Sequence, residues 1–324
     1  MTPNLPSSAT LPALGLGTFP FSGVFTSLDQ QVAGEILSTY VENGGWYVET
    51  APVYAPNGIS LEQLVKSVGR EKLFIATKCV TGRDASGTTV RSGKGDHLRQ
   101  QCHDELKRLG VDHLDLLQLH TVPEDADAQE SFGTLQGLKD EGLVRNVGLS
   151  NVSLSQLQEF AAVGPVDFVQ NRFSFIYRAQ HREIEDFCLA NGTLLNPYQV
   201  IERGLLTDSP RETFRDGDLR NSKYEYRGDV YAYIRSWVLS DLRPIAEAHG
   251  ISVTQLALGW ALYQPAVGVV PVGATSTEQV RANMRASAGP LPAGVVAEME
   301  WAFERLEGAV RDRVGLSLDE YRGL

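Results

Sequence analysis

A chain of 324 residues, 42% hydrophobic and 21% charged, can bury a sizeable core, yet it holds no apolar run near the ~18 residues that a membrane-crossing helix needs. Its formal charge of -11, without a Lys/Arg cluster, argues against nucleic acid or an anionic membrane as a partner. Three widely spaced cysteines, Cys79, Cys102 and Cys188, fit neither a disulfide framework nor a zinc site; with no secretion signal at the N-terminus, the expected compartment is cytoplasmic.

The first strand candidate is Leu11–Thr18, followed by the aromatic stretch FPFSGVF with Phe19, Phe21 and Phe25, and by a helix-like segment Gln30–Asn43. The second, Trp46–Thr50, closes on a carboxylate, Glu49, and sets a phenol, Tyr54, five residues later. A helix then runs over Ser60–Val68, opened by Ser60 and Gln63 as a capping box. The third strand, Leu73–Lys78, ends in Lys78; beyond it Thr81–Gly95 is long, polar and glycine-rich, as a binding loop would be, and carries Arg83, Arg91 and Lys94. A helix over Asp96–Leu109 leads to the fourth strand, Leu114–His120, which closes on His120. The same rhythm continues with helix Ala128–Glu141, strand Val144–Asn151 closing on Ser150 and Asn151, helix Ser153–Ala162, and strand Asp167–Phe173 carrying Gln170. Helix Arg182–Asn191 precedes strand Thr193–Tyr198, after which Gln199–Asp229 is a second long loop. Helix Val253–Gln264, strand Val267–Val272 and helix Thr277–Ala288 complete the alternation, with extra helices at Tyr231–His249 and Gly294–Leu306.

Eight strands alternating with eight helices, and no linker to divide them, predict one (β/α)₈ barrel of the TIM type over residues 1–324 with long active-site loops. A doubly wound sheet is the alternative. Sites in such barrels are built where strands end, and here successive strands end in ionisable or amide groups that would converge on one mouth. A phenol with an ordinary pKa of about 10 needs help to exchange a proton near neutrality. An ammonium at Lys78 would lower that pKa, Glu49 would keep the buried ammonium paired, and a neutral His120 could bond a substrate oxygen.

These residues in this order resemble the aldo-keto reductase family. The resemblance is carried by GLGTF at Gly15–Phe19, Glu49 with Tyr54, ATK at Lys78, His120, VRNVGLSNVS at Val144–Ser153, FVQNRF around Gln170, PYQVIERGLLT at Pro197–Thr207 and VPVGATSTEQVRAN at Val270–Asn283. It implies an NAD(P)H-dependent reductase that turns an aldehyde or ketone, a keto sugar or other secondary metabolite included, into an alcohol. By resemblance, Tyr54 is the general acid, Lys78 tunes it, Glu49 holds Lys78 and His120 orients the carbonyl. Ser150, Asn151 and Gln170 would hold the carboxamide and Tyr198 would stack on the nicotinamide. Gln199, Ile201 and Arg203 would cover the pyrophosphate, Gly17, Thr18, Phe19, Gly273, Thr275 and Ser276 would line the cofactor path, and Gln279 and Asn283 would meet the adenine.

Two departures bear on this. The family's acid is normally Asp, one methylene shorter than Glu49. The family typically places Lys or Arg after the eighth strand to hold the 2′-phosphate of NADP, where this chain has Gly273, Ala274, Thr275 and Ser276, with Arg281 further along. NADP(H) is the expectation from family habit, with NAD(H) the alternative. The segment before Leu11 reads as too short to plug the barrel's lower end. No metal is expected, because the six histidines lack ligand spacing. Two other function classes compete with a reductase: a cofactor-binding regulatory or partner subunit, and a Schiff-base lyase acting through Lys78.

Overall fold

Eight parallel strands carry the architecture: β1 (Leu14–Gly17), β2 (Tyr47–Glu49), β3 (Phe74–Cys79), β4 (Leu114–Leu119), β5 (Val144–Ser150), β6 (Phe168–Gln170), β7 (Leu194–Leu195) and β8 (Val270–Gly273). The structure, a computed structural model, describes residues 11–54, 58–83, 87–178, 181–287, 289 and 291–323. The expectations for the segment before Leu11 and for Ala288 lie outside the described residues. The strands pair in the order β8-β1-β2-β3-β4-β5-β6-β7, and the ring closes where Leu195 N donates to Ala266 O and Gly268 N donates to Leu195 O, both at 2.9 Å. Each expected strand is present, and the helices between them (Gln30–Glu42, Leu61–Val68, Gly95–Leu109, Ala128–Asp140, Leu154–Ala161, His181–Asn191, Val253–Tyr263 and Thr277–Ala286) match their predicted ranges to within two residues at each end. Closed in this way, the sheet is a (β/α)₈ barrel.

Period-two alternation divides each strand between two cores. Val48, Ile75, Leu117, Leu149, Val169 and Leu195 pack against the helices in the larger cluster, while Tyr47, Phe74, Ala76, Leu116, Phe168 and Val269 pack together as a separate, smaller cluster within the ring. Aromatic rings fill this inner cluster: Tyr47 stacks on Phe74 at 5.1 Å, and Phe74 meets Phe168 at 6.1 Å. The next residue of the same parity on each strand is polar, namely Glu49 above Tyr47, Lys78 above Ala76, Gln118 above Leu116 and Gln170 above Phe168. An apolar floor is thus capped by a polar layer at the carboxyl ends of the strands, and the site is built on that layer.

Helix starts follow the expected chemistry except at Ser60, where the expected capping box with Gln63 does not close. Its side chain accepts from Gln63 N, while its own N–H donates to Gln30 Oε1 at 2.6 Å. Asp29, Ser60, Asp127, Ser153, Ser252 and Ser276 each cap a helix by accepting from a backbone amide two or three residues inside it. The single helix expected over Tyr231–His249 is instead Gly228–Trp237, a π-helical turn Val238–Leu242 and Arg243–Ala248. Pro244 explains the break, since it has no N–H to offer the regular ladder. The loop Thr81–Gly95 also contains an antiparallel hairpin, Thr81–Arg83 with Thr89–Arg91.

Two glycines test the packing in opposite senses. A Cβ on Gly148, in β5, would lie 2.5 Å from the backbone oxygen of Phe168, which the sheet holds in place, whereas one on Gly308, inside the helix Ala293–Val314, would meet nothing within 4 Å. Gly148→Ala is expected to destabilise the fold by about 2–3 kcal/mol and Gly308→Ala to stabilise it by about 0.5–1 kcal/mol in chemical denaturation. Equal effects of the two substitutions would contradict this packing.

Candidate active site

Tyr54 reaches the barrel mouth because β2 stops one residue before Thr50. Thr50 N donates to Ala76 O at 2.8 Å, and the chain then turns through a single 3₁₀ turn, Pro52–Tyr54, fixed by Tyr54 N on Ala51 O at 3.1 Å. The neighbouring strand β3 delivers Lys78 inward, 2% exposed, and β2 delivers Glu49, 4% exposed. One carboxylate oxygen gathers them. Glu49 Oε1 accepts from Lys78 Nζ in a short ion pair, from Tyr54 Oη at 2.9 Å and from Gln170 Nε2 at 3.5 Å. Lys78 Nζ also lies 3.1 Å from Tyr54 Oη and 3.3 Å from Thr50 O. The extra methylene of Glu49 does not displace the lysine; it lets one oxygen serve three donors.

The electrostatic balance at the phenol corrects one expectation. Burial above all, and then the Glu49 carboxylate that accepts its proton, push Tyr54 well above the ordinary tyrosine value, although Lys78 is in contact. The phenol keeps its proton at neutral pH. His120 closes the other side of the phenol, with ring centroids 6.1 Å apart in an edge-on arrangement. Burial, helped by the charges of Lys78 and Arg91, pulls its pKa down to about 3, so the imidazole is neutral at physiological pH as expected. Its Nδ1 is buried without a hydrogen-bond partner among the described residues.

The adjacent rim holds the amide and hydroxyl groups. Asn151, in left-handed backbone at φ 58°, donates through Nδ2 to His120 O at 2.9 Å and to Ser150 Oγ at 3.2 Å, and its Oδ1 accepts from Tyr198 Oη at 2.6 Å. Gln170 Oε1 is buried without a partner among the described residues. Ser150 at the end of β5, Asn151 just beyond it, Gln170 at the end of β6 and Tyr198 three residues past β7 are joined by these bonds and by Asn151 N on Gln170 O at 3.1 Å, beside the Tyr54 cluster.

Beyond Tyr198 the chain adopts a conformation that non-glycine residues rarely take: Gln199, Glu202 and Arg203 all have φ between 47° and 59°. A buried ion network holds it. Glu202 Oε2 accepts from Arg172 Nη2 at 3.1 Å, Glu225 Oε1 accepts from Arg172 at 3.4 Å and Arg203 at 3.5 Å, and Arg220 Nη1 donates to Arg203 O at 2.8 Å. Arg172, Glu202, Glu225 and Arg220 are supporting residues that sequence reasoning missed. The only hint was charge placed next to a loop, since the partners lie up to 53 positions apart.

The remaining predicted residues sit along β1 and β8, which pair directly, so Gly17 lies between Glu49 and Gly273. Gly17 brings bare backbone against Glu49, because a Cβ there would be 3.4 Å from Oε2, and Thr18 N donates to Glu49 O at 2.9 Å. Phe19 meets the Tyr54 ring at 5.1 Å and Phe25 at 5.9 Å, whereas Phe21 is 1% exposed and belongs to the core. After β8, Thr275 donates to Gln279 Oε1 through N (2.8 Å) and Oγ1 (3.2 Å), Ser276 caps the helix Thr277–Ala286, and Asn283 lies on the buried face of that helix. Ile201 is half-buried against the core, and Arg281 turns to Thr277 Oγ1 at 3.2 Å. No group of three metal-ligating side chains occurs among the described residues.

Known proteins resemble the chain along most of its length. The sequence model of the aldo/keto reductase family matches residues 13–303. An Escherichia coli protein named NADH-specific methylglyoxal reductase is 27% identical over 91% of this chain and 97% of its own length. A Schizosaccharomyces pombe aldo-keto reductase whose name carries NADP(+) is 26% identical over 92% of this chain and 90% of its own. The solved structure of a glycerol dehydrogenase from Gluconobacter oxydans superposes with a TM-score of 0.81 at 25% identity, over 91% of this chain and 92% of that one. With its barrel closed, its phenol–ammonium–carboxylate cluster at the mouth and this match along most of its length, the chain belongs to the aldo/keto reductase family of NAD(P)H-dependent carbonyl reductases.

Proposed function

We propose that the chain, acting as one barrel unit, reduces an aldehyde or ketone to an alcohol, with Tyr54 giving the proton to the carbonyl oxygen. The observation that carries this reading is the buried contact of Tyr54 Oη with Glu49 Oε1 and Lys78 Nζ beside the neutral imidazole of His120. A nicotinamide cofactor supplies the hydride that the protein's own groups cannot. Everything else is positioning and proton management. A phenol raised above its ordinary value keeps its proton at neutral pH and still surrenders it to an alkoxide, which is the stronger base. The ammonium of Lys78, 3.1 Å away, then stabilises the phenolate left behind. Neutral His120 can hold the carbonyl oxygen in line without adding a positive charge, while Phe19 packs edge-on against the Tyr54 ring.

The amide groups support the cofactor assignment. Ser150 Oγ accepts from Asn151, which leaves its own proton to give, and Gln170 Oε1 is a buried acceptor awaiting a donor. A donor and an acceptor side by side are the complement of a primary carboxamide such as nicotinamide bears. Tyr198, its hydroxyl fixed on Asn151, presents a ring against which a nicotinamide would stack, and Gln199, Ile201 and Arg203 would run over the pyrophosphate. Lys78 already donates to Glu49, Thr50 O and Tyr54, so it has no free lone pair to attack a carbonyl, which disfavours a Schiff-base lyase.

Family habit favours NADP(H), but the local charge supports NAD(H). Glu278, exposed in the first turn after Ser276, is held below the usual carboxylate range by hydrogen bonds from backbone, Ser276 and Thr277, and a carboxylate there repels a 2′-phosphate. The relatives divide in the same way, one named for NADH and another for NADP(+).

Tyr54→Phe is expected to lose roughly 10²–10⁴-fold in kcat while fluorescence quenching still reports cofactor binding. Retained activity would remove Tyr54 as the acid, and a wild type that binds cofactor tightly but turns over no carbonyl on a broad panel would favour a binding subunit. Reduction needs the protonated phenol, so activity should be present at neutral pH and fall only as pH rises through the elevated tyrosine value. His120 stays neutral above about pH 3, so a step near pH 6–7 assigned to it by His120→Gln would contradict the site electrostatics. In paired titrations NADH should bind at least as tightly as NADPH, and Glu278→Lys should improve NADPH binding several-fold; a large wild-type preference for NADPH would reverse the cofactor reading.

A further inference from the structure

We propose that Arg91 selects the substrate by pairing with an anionic group, a carboxylate or a phosphate, carried a few atoms from the reacting carbonyl. The proposal rests on the reductase reading of the Tyr54 site and adds a substrate class to it. Placement comes first. Arg91 pairs with Thr81 across the hairpin that follows β3, and Ser92 N donates to Val80 O at 3.0 Å. His120 N donates to Cys79 O at 3.1 Å. Both residues therefore hang on the stretch 79–81, and the hairpin strand Thr81–Arg83 packs against the turn Pro52–Tyr54 that carries the phenol. The Arg91 charge also opposes protonation of the imidazole.

The loop's three cations are not equivalent. Arg83 Nη1 is bonded to Gly87 O at 3.0 Å, and Lys94 is paired with Glu130 at 3.0 Å. Asp125, which reaches the same strand, is occupied by Ser92 Oγ at 2.6 Å and Gly93 N at 2.7 Å. Of the three, only Arg91 has a side chain that makes neither a hydrogen bond nor an ion pair among the described residues. Another part of the mouth is aromatic, with Phe19 and Phe25 edge-on at 5.9 Å and Phe19 against Tyr54. A mouth with an apolar wall beside the phenol and a guanidinium without a side-chain partner in the loop after β3 fits a carbonyl compound that has a short apolar body and an anionic end.

Steady-state reduction of two matched pairs tests this: succinate semialdehyde against butanal, and glyceraldehyde phosphate against glyceraldehyde. In at least one pair the charged member should show a KM several-fold below its neutral partner, with the gap closing as salt is added, and the pair that responds separates carboxylate from phosphate. Arg91→Gln should raise KM for that charged substrate roughly fivefold to tenfold, with kcat and the neutral partner unchanged, and Arg91→Lys should recover part of the loss. The proposal is overturned if the wild type prefers the charged member of neither pair, or if Arg91→Gln shifts charged and neutral substrates alike, which would make the residue structural. Failure of the reductase reading is a separate result, in which neither member of either pair consumes cofactor.

Discussion

One carboxylate oxygen organises the mouth of this barrel. Lys78 and Glu49 are almost fully buried, and two such charges leave water only when each is paired and further hydrogen-bonded. Glu49 Oε1 meets the ammonium, the Tyr54 hydroxyl and the Gln170 amide, and Lys78 Nζ spends its remaining donors on Thr50 O and Tyr54. The site is rigid because none of these groups can leave without stranding another. The backbone of Glu49 extends the arrangement to β1, since its carbonyl accepts from Thr18, so the end of β1 and the Tyr54 hydroxyl share a support.

The barrel makes this arrangement possible through strand parity. Tyr47, Phe74, Leu116 and Phe168 form a dry floor, and the inward positions one step further along the same strands carry Glu49, Gln118 and Gln170, with Lys78 joining from β3. Water is excluded from below by aromatic packing, and the polar layer opens only upward. Loops then divide the labour. Those after β5 to β7 present amides and hydroxyls, the loop after β7 is locked by the Arg172–Glu202–Glu225 network, and those after β1 and β3 shape the approach to Tyr54.

Much of this was legible in the sequence, and the reason is periodicity. Runs such as LDLLQLH and VRNVGLSN state both a buried strand and the polar group at its end, so β4 with His120 and β5 with Ser150 and Asn151 could be read without coordinates. The hairpin Thr81–Arg83 with Thr89–Arg91 could not, because three-residue strands amid glycine and serine carry no apolar pattern. Nor could the burial of Phe21, since FPFSGVF offers three rings and only packing decides which turns inward. The sign of the shift at Tyr54 was misread for a similar reason. Composition shows that a lysine is near a phenol, whereas the depth of the phenol and the atom that accepts its proton emerge only from the fold.

Glu49 and Lys78 together form the energetic unit on which the Tyr54 hydroxyl rests. A double-mutant cycle in chemical denaturation tests it most directly, using Glu49→Ala, Lys78→Met and the two combined. Removing the carboxylate alone should strand a buried ammonium and cost about 3–5 kcal/mol, while the combined variant should regain most of that loss. If the two single effects simply add, or if Glu49→Ala leaves the unfolding midpoint where it was, the ion pair does not hold the site together.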